Sequence, residues 1–197
     1  MGERADRARA LFLNGYNCSQ AVVGAFSDLF GMEPETAMRF AEGLGGGIGR
    51  MRLTCGAVSA MALVAGLKVS TGKPGDLETR KEVYAKVREM AAAFQEKNGS
   101  ITCSDLLGAA RPKDDSAKPQ ERTAQYYQKR PCPDCVQDCA EIVEMYLLSD
   151  TCFSCFLFLS LLHAFPVDES INIIDEKQQE TKQNREIGRI GTCCQPP

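Results

Sequence analysis

The 197-residue sequence contains a single histidine, His163, and no tryptophan. Ser-His and Cys-His catalysis both need a histidine beside the nucleophile. His163 is distant in sequence from every other candidate residue, so neither mechanism is expected. A metal site in this chain would therefore have to rely on sulfur or carboxylate ligands.

Long apolar runs and strong net charge are also missing. The densest apolar run, residues 152–165, has 14 residues, which is short of the roughly 20 that cross a bilayer. The net charge of −3 offers no electrostatic attraction for nucleic acid. The first ten residues lack the apolar stretch of a secretory signal. We therefore expect a cytoplasmic protein that binds no nucleic acid and does not insert stably into a membrane.

Ten cysteines are the most unusual feature of the composition. In a small secreted protein they would predict a disulfide framework. This chain has 197 residues, of which 44% are hydrophobic, so it can bury an apolar core of its own. Free thiols, metal ligation or redox chemistry are therefore the better interpretations of the cysteines.

Runs of alternating β-branched residues, which would predict strands, are scarce, whereas helical periodicity is common. The pattern predicts an all-α protein, a compact bundle of about six to seven helices. The predicted helices cover residues 4–13, 18–30, 35–42, 55–66, 76–97, a short segment from Cys103, and 132–148. After residue 148 the composition becomes apolar and then polar. We therefore predict a helical cysteine domain over 1–148 and a partly disordered extension over 149–197.

Four cysteines share a setting at predicted helix starts: Cys18, Cys55, Cys103 and Cys132. The residues directly before the first three are Asn17, Thr54 and Thr102, which are of types that cap helices. Gln20 completes the pattern of a capping box with Asn17, and Pro131 before Cys132 also suits a helix start. A helix start favours thiolate, the form of cysteine that binds metals and attacks disulfides.

Cys55 is the strongest candidate of the four, because a glycine run, a predicted cap and an apolar helix meet at it. Burial alone raises the pKa of a thiol. We expect the helix terminus and any bound metal to outweigh burial and to favour the Cys55 thiolate. The alternative is that cysteine is simply a small residue that fits a buried helix start.

A glycine-rich segment, GLGGGIGR at 43–50, lies just ahead of Cys55. It has neither the glycine spacing of a dinucleotide fingerprint nor the Gly-Lys-Ser/Thr end of a P-loop. Such glycines let the backbone take positive φ and approach a bound group closely; tight helix–helix packing explains them equally well. The candidate cofactor-contacting residues are Gly46, Gly47, Gly49 and Thr54.

Two Cys-x-x-Cys pairs also need an interpretation. Cys132 and Cys135 resemble a thioredoxin-type dithiol, although the strands of that fold are missing here. Together with Cys152 and Cys155 they formally have the spacing of a zinc site. The 16 residues between the pairs look helical, however, and a helix would hold them about 20 Å apart. Cys152 and Cys155 are therefore predicted to be apolar filler.

Four segments, in order, carry a resemblance to a known family: NGYNCSQAV, GLGGGIGRMRLTCGAVSA, NGSITCSDLLG and RPCPDCVQDCAEIVE. Over about residues 3–148 the chain resembles the C-GCAxxG-C-C family of redox proteins. The four characteristic cysteines of that family correspond to Cys18, Cys55, Cys103 and Cys132. The family's CAxxG or CGAxxG element ends in glycine, where this chain has Ser59 or Ala60. A looser likeness to the non-haem part of split-Soret cytochromes implies an iron–sulfur cluster.

The sequence leaves three functions open. The first is electron transfer by an iron–sulfur cluster, with [2Fe–2S] favoured, ligated by the same four cysteines. The second is metal-free thiol–disulfide chemistry, with Cys55 or Cys18 as the catalytic nucleophile. The third is a zinc or other metal module without catalysis that associates with a transporter, a link that the resemblance implies. The sequence does not identify the redox partner, does not decide whether the chain is an enzyme, and leaves a homodimer open.

Overall fold

The computed structural model describes residues 2–114 and 116–149 of the chain. Within these residues it contains eight α-helices and no strand, so the all-α prediction is confirmed. The helices are α1 (Glu3–Leu13), α2 (Cys18–Phe26), α3 (Pro34–Glu42), α4 (Gly56–Val69), α5 (Leu77–Asn98), α6 (Cys103–Leu107), α7 (Ala124–Gln128) and α8 (Cys132–Val143). Apart from residue 149, the predicted extension lies outside the described residues, as do Cys152, Cys155 and His163.

Three mutually packed helices, α2, α4 and α8, form the centre of the bundle. Helix α1 packs on α2 and α8, α3 packs on α2, and α5 packs on α4 and α8. The largest fully buried side chains are Phe12, Phe26, Phe94, Met61 and Met90. Each such side chain contributes roughly 1.5–3 kcal/mol by leaving water. The centre of the bundle is therefore a rigid apolar support for the residues at the helix starts.

Helix α2 begins where the sequence predicts it. The Asn17 side chain accepts hydrogen bonds from the backbone N–H groups of Ser19, at 3.1 Å, and Gln20, at 3.0 Å. In return, Gln20 Oε1 accepts from the backbone N–H of Asn17 at 2.9 Å. This capping box satisfies the N–H groups that a helix start leaves unpaired, and it fixes the first turn that carries Cys18.

Two elements differ from the sequence prediction. Helix α7 is one more helix than predicted; it has only five residues and follows a polar loop, so it shows no usable periodicity. Thr123 caps it by accepting from the backbone N–H of Tyr126 at 3.2 Å. Helix α8 ends at Val143, and a π-helical turn, Glu144–Leu148, completes the predicted segment. Among the described helices, none has the length and apolar character needed to span a membrane.

Candidate functional site

The four cysteines predicted from their helix-start setting line one small cavity. They come from the starts of four different helices, α2, α4, α6 and α8. A fifth cysteine, Cys135, lines the same cavity, and all five are free thiols. The cavity volume is about 60 Å³, which is room for roughly two water molecules. The fold therefore gathers around one cavity thiols that are far apart in sequence.

A short backbone pairing ties the Cys55 segment to the Cys103 segment. Thr54 and Thr102 form an isolated antiparallel bridge. Across it the Cys55 N–H donates to the Ile101 carbonyl at 2.8 Å, and the Cys103 N–H donates to the Leu53 carbonyl at 2.6 Å. Both cysteines are thus held in register by hydrogen bonds of their own backbone.

The helix-cap expectation for Thr54 is wrong, whereas Thr102 does stand at the cap position before α6. Helix α4 begins at Gly56, and Cys55 itself occupies the cap position with extended backbone. Thr54 is instead used in the bridge, because its neighbours must pair with the strand-like segment at Ile101. Neither Thr102 nor Cys55 makes a side-chain capping hydrogen bond of ordinary geometry.

The glycine run forms a left-handed turn beside the cavity. Five consecutive residues, 46–50, have positive φ, including Ile48 at 58° and Arg50 at 67°. Left-handed backbone costs a non-glycine residue roughly 1–2 kcal/mol, so the surrounding contacts must hold this turn in place. Two of those contacts are the hydrogen bonds from Arg52 N–H to the Gly46 carbonyl and from Leu53 N–H to the Gly47 carbonyl, each 3.2 Å.

The predicted cofactor-contacting glycines have three different environments. Gly46 lines the cavity. Gly47 packs behind Cys103, since a Cβ added to it would lie 2.8 Å from the Cys103 Cβ and 2.7 Å from the Leu53 nitrogen. Gly49 has open space where its Cβ would be. A glycine outside the predicted set, Gly56, also matters, because a Cβ there would lie 2.7 Å from the Cys18 sulfur.

Burial dominates the acidity of the thiols. It raises the pKa of Cys55 well above the ordinary value, and the neighbouring Cys18 and Cys135 raise it further. The backbone N–H groups of Ala57 and Val58 act on the Cys55 sulfur in the opposite direction. Without a metal, the helix start does not outweigh burial at Cys55, because one helix turn does not replace the lost water. That the helix start and a bound metal together favour the Cys55 thiolate stays a prediction.

The other thiols follow the same rule. Burial raises the pKa of Cys132 to about 12, helped by the nearby Cys18. It also raises the pKa of Cys135 to about 12, with Cys132 as the next cause. The pKa of Cys103 is raised by burial and by the neighbouring Cys18. Burial and the neighbouring thiols therefore keep Cys55, Cys103, Cys132 and Cys135 protonated at neutral pH.

Three arginines that the sequence analysis did not single out line the same cavity: Arg52, Arg122 and Arg130. The buried Arg52 donates a hydrogen bond to the Cys103 sulfur and lowers its pKa. Arg130 does the same for Cys132. In the described part of the chain, no Asp or Glu lines the cavity. A signal was available, because Arg52 and Arg130 stand two or three residues before a motif cysteine.

Cys135 and Cys139 lie on α8 after Cys132. Cys135 follows by three residues, which places it on the same helix face, and its sulfur lies 3.7 Å from Asn98 Oδ1. Cys139 is completely buried in the core and does not line the cavity. The Cys-x-x-Cys pattern interpreted above as a thioredoxin-type dithiol already pointed to Cys135, whereas the predicted set of four cysteines left it out.

The donor atoms of the cavity match an iron–sulfur cluster in kind, because such clusters are held by cysteine thiolates. The sulfurs of the cavity are, however, not as close together as the ligands of a metal site. Within residues 2–114 and 116–149, no group of three or more Cys, His, Asp or Glu side chains is positioned to hold a metal ion. Ligation would require the sulfurs to approach one another more closely than they do in this structure.

Comparison with known proteins identifies one family. Its sequence model, described as "Putative redox-active protein (C_GCAxxG_C_C)", matches residues 16–146, which is more than half of the chain. The matched region contains all five cysteines of the cavity. No curated protein and no solved structure matches the chain.

Proposed function

The chain belongs to the C_GCAxxG_C_C family of redox-active proteins, and from this premise we propose that its cysteine cavity is a redox centre that binds an iron–sulfur cluster. The observation that carries the proposal is the wall of that cavity. Four cysteines from four helix starts line it, and none of its described lining residues is a carboxylate. Soft sulfur donors without competing oxygen ligands favour iron–sulfur clusters and zinc over magnesium or calcium.

The charges around the cavity support a cluster over a bare zinc ion. Four thiolates around an iron–sulfur cluster carry net negative charge, and hydrogen bonds to the sulfurs are one of the means by which a protein tunes such a centre. Arg52 and Arg130 already donate to Cys103 and Cys132. We assign the ligands as Cys18, Cys55, Cys103 and Cys132, with the [2Fe–2S] type favoured.

Burial also bears on how the thiols would ionise. The raised pKa values of Cys55 and Cys132 keep these two thiols protonated without a cation, whereas a coordinated metal deprotonates a thiol outright. Cluster binding would therefore release protons from the cavity and draw the sulfurs together. The bound cluster would supply one-electron transfer; the chain's contribution is to hold the sulfurs, exclude water and offset the charge with arginine.

Anaerobic purification of the full chain tests the proposal. We expect iron and acid-labile sulfide in equal amounts, visible absorption, and loss of that absorption on reduction. Zinc without sulfide would instead support the metal module. A colourless protein that takes up neither metal, even after reconstitution with iron and sulfide, would reject the cluster.

A second candidate is metal-free dithiol chemistry, which the position of Cys135 favours. Cys132 and Cys135 lie one helical turn apart and line the same cavity as free thiols. A thiolate would attack a small disulfide and release one thiol; the second cysteine would then displace the other and close the protein disulfide. The protein is oxidised by two electrons and the substrate is reduced to two thiols. Mass spectrometry that locates a reversible Cys132–Cys135 bridge would support this candidate.

We also propose a cytoplasmic location and a functional link to a transporter. The six described cysteines are all free, and such thiols persist in a reducing compartment. The transporter link rests on the family resemblance alone. Cell fractionation tests the location, and affinity purification of the tagged chain tests the link. If the chain binds a transporter, part of it should be found in the membrane fraction and should co-purify with that transporter.

A further inference from the structure

Two cationic side chains share one aromatic ring at the mouth of the cavity. The Cζ atom of Arg122 lies 4.9 Å from the centroid of the Tyr126 ring, and that of Arg130 lies 4.4 Å from it. Contact with the ring stabilises each guanidinium. Two like charges held this close nevertheless repel, and the repulsion grows as water is excluded.

Arg122 is also a donor without an acceptor. Its Nη1 atom is buried and has no hydrogen-bond partner among the described residues. Its Cζ atom also lies 4.8 Å from the centroid of the Phe12 ring and 6.0 Å from that of Tyr127. Leaving a buried charged donor unpaired is destabilising. Arg130, by comparison, donates to Gln120 Oε1 and to the Cys132 sulfur.

An outer groove adjoins the inner cavity at Arg130, whereas Arg122 lines the inner cavity alone. The groove has a volume of about 870 Å³ and shares Tyr126 and Arg130 with the inner cavity. The inner cavity holds about 60 Å³, so only a small group fits inside it. Besides Arg130, the charged residues that line the groove are Lys118, Lys129, Asp114 and Glu121.

We propose that the mouth of the cysteine cavity binds a small anionic substrate, whose charged group lies between Arg122 and Arg130 and whose body lies in the outer groove. The anion would accept a hydrogen bond from the unpaired Arg122 Nη1. Its negative charge would also relieve the repulsion between the two guanidiniums. A guanidinium pairs with carboxylates and oxyanions through parallel hydrogen bonds. This inference rests on the proposed function only in taking the sulfurs behind the arginines as the redox centre.

The substrate class follows from size and charge. It is a small molecule with a carboxylate or an oxyanion group, placed next to Cys132 because Arg130 touches that sulfur. A macromolecular partner would meet the outer groove alone. The anion binds in this way whether a cluster or a dithiol carries the electrons, so its binding can be tested separately from the metal.

Two alkylating reagents of nearly equal size provide the test. Iodoacetate carries a carboxylate and iodoacetamide is neutral; each forms a carbon–sulfur bond with a thiolate and releases iodide. The full-length chain, reduced and freed of metal, is treated with each, and modification of Cys132 is followed by peptide mass spectrometry. Both reagents need the same thiolate, so the ratio of their rates does not depend on how much of it is present.

We expect the iodoacetate-to-iodoacetamide ratio at Cys132 to be at least about tenfold higher in the folded chain than in urea. Arg122→Gln and Arg130→Gln should each lower the ratio severalfold, and Arg122→Lys, which keeps the charge, should restore most of it. Arg88→Gln is the control, because Arg88 is exposed on α5 and lines neither cavity nor groove.

Inorganic sulfate supplies a second readout. Sulfate should slow the reaction of iodoacetate with Cys132 and raise the melting temperature of the chain, and both effects should level off at high sulfate concentration. Sodium chloride at equal ionic strength should have a weak effect that does not level off. The Arg122→Gln variant should lose the saturable effect. A ratio equal to that of the unfolded chain, or no modification by either reagent, together with no saturable sulfate effect would overturn the proposal. Iron and sulfide contents decide the cluster independently of these results.

Discussion

Thr54 and Thr102 pair across an isolated antiparallel bridge, and this pairing fixes the two cysteines that follow them. The backbone N–H groups of Cys55 and Cys103 both donate hydrogen bonds across this bridge. Each cysteine is thus anchored by its backbone while its side chain lines the cavity. A site built this way can lose a sulfur without losing the backbone that holds it.

Cys55→Ser tests that statement. The backbone hydrogen bond to Ile101 is unchanged and the side chain is nearly the same size, so the chain should fold, with a loss of about 1–2 kcal/mol for burying a hydroxyl. Iron content and redox activity should fall to a small fraction of the wild-type values, because the soft thiolate is gone. Metal analysis and circular dichroism measure both effects.

The matched control for Cys55→Ser is Cys139→Ala. Cys139 is fully buried but does not line the cavity, so the substitution should cost about 1 kcal/mol and leave metal content intact. Equal metal loss in both variants would show that core stability, and not the cavity wall, controls the site. Full metal content in Cys55→Ser would remove Cys55 from the ligand set.

The left-handed turn gives a second matched pair, Gly47→Ala and Gly49→Ala. Both residues have positive φ, at 72° and 54°, so each alanine should cost roughly 1–2 kcal/mol. Only the Gly47 methyl would also collide with Leu53 and Cys103, which should add about 1–3 kcal/mol and displace Cys103. Urea unfolding measures the free energies; similar values for the two variants would contradict the close packing.

The sequence predicted some of these features for physical reasons that are local. Asn17 and Gln20 form a capping box that depends on four adjacent residues, so it could be read directly. For the turn at 46–50, positive φ was expected at the glycines but not at Ile48 or Arg50. Ile48 with positive φ opposes its own preference as a β-branched residue. Only tertiary contacts, such as those behind Gly47, can impose that conformation.

The site was predictable in part for a similar reason. The helix-start pattern singled out four of the five cavity cysteines one at a time, since each carries its own local signal. Thr54 was misassigned because a bridge to Thr102 is a pairing between distant segments. Arg122 was missed because its contacts with Phe12 and Tyr126 join residues that no periodicity connects.

The raised thiol pKa values predict a pH-dependent stability for the reduced, metal-free chain. The thiols of Cys132 and Cys135 titrate at about 12, against an ordinary 9.0. Between these values the folded chain keeps protons that the unfolded chain loses. The stabilisation is therefore complete below about pH 9 and is lost as the pH rises toward 12, by up to about 1.4 kcal/mol per pH unit for each thiol.

Urea unfolding from about pH 7 to pH 10 measures this slope. Cys135→Ala should reduce the slope of the unfolding free energy against pH by the contribution of one thiol, because the variant lacks one of the protons that the folded chain retains. A free energy of unfolding that rises above pH 9, or a slope unaffected by this substitution, would show that burial does not control the Cys135 thiol.

The predicted domain boundary gives a further test. A chain ending at Leu148 retains every residue that lines the cavity and all of the described helices. We therefore expect unchanged helical circular dichroism and the same thiol titration for the six described cysteines. Loss of helicity or solubility in the truncated chain would show that residues after 148 cover part of the core or a subunit interface.

Gly56→Ala tests the support of Cys18, with Gly66→Ala in the same helix as its control. Neither glycine has positive φ, so alanine is compatible with both backbones. At Gly66 the new methyl would meet nothing within 4 Å, and the chain should gain about 0.5–1 kcal/mol from better helix propensity. At Gly56 it would lie 2.7 Å from both the Cys18 sulfur and the Leu44 carbonyl.

The Gly56→Ala chain should therefore lose about 1–3 kcal/mol in urea unfolding as α4 and Cys18 move apart. It should also bind less iron, because the sulfur of Cys18, one of the proposed ligands, is pushed from its place. Adding Cys18→Ala separates the two collisions. If stability is recovered in the double variant, the sulfur is the obstacle; if it is not, the Leu44 carbonyl is. A stabilised Gly56→Ala chain with full iron content would contradict the close contact between Gly56 and Cys18, and with it the role of that glycine in shaping the site.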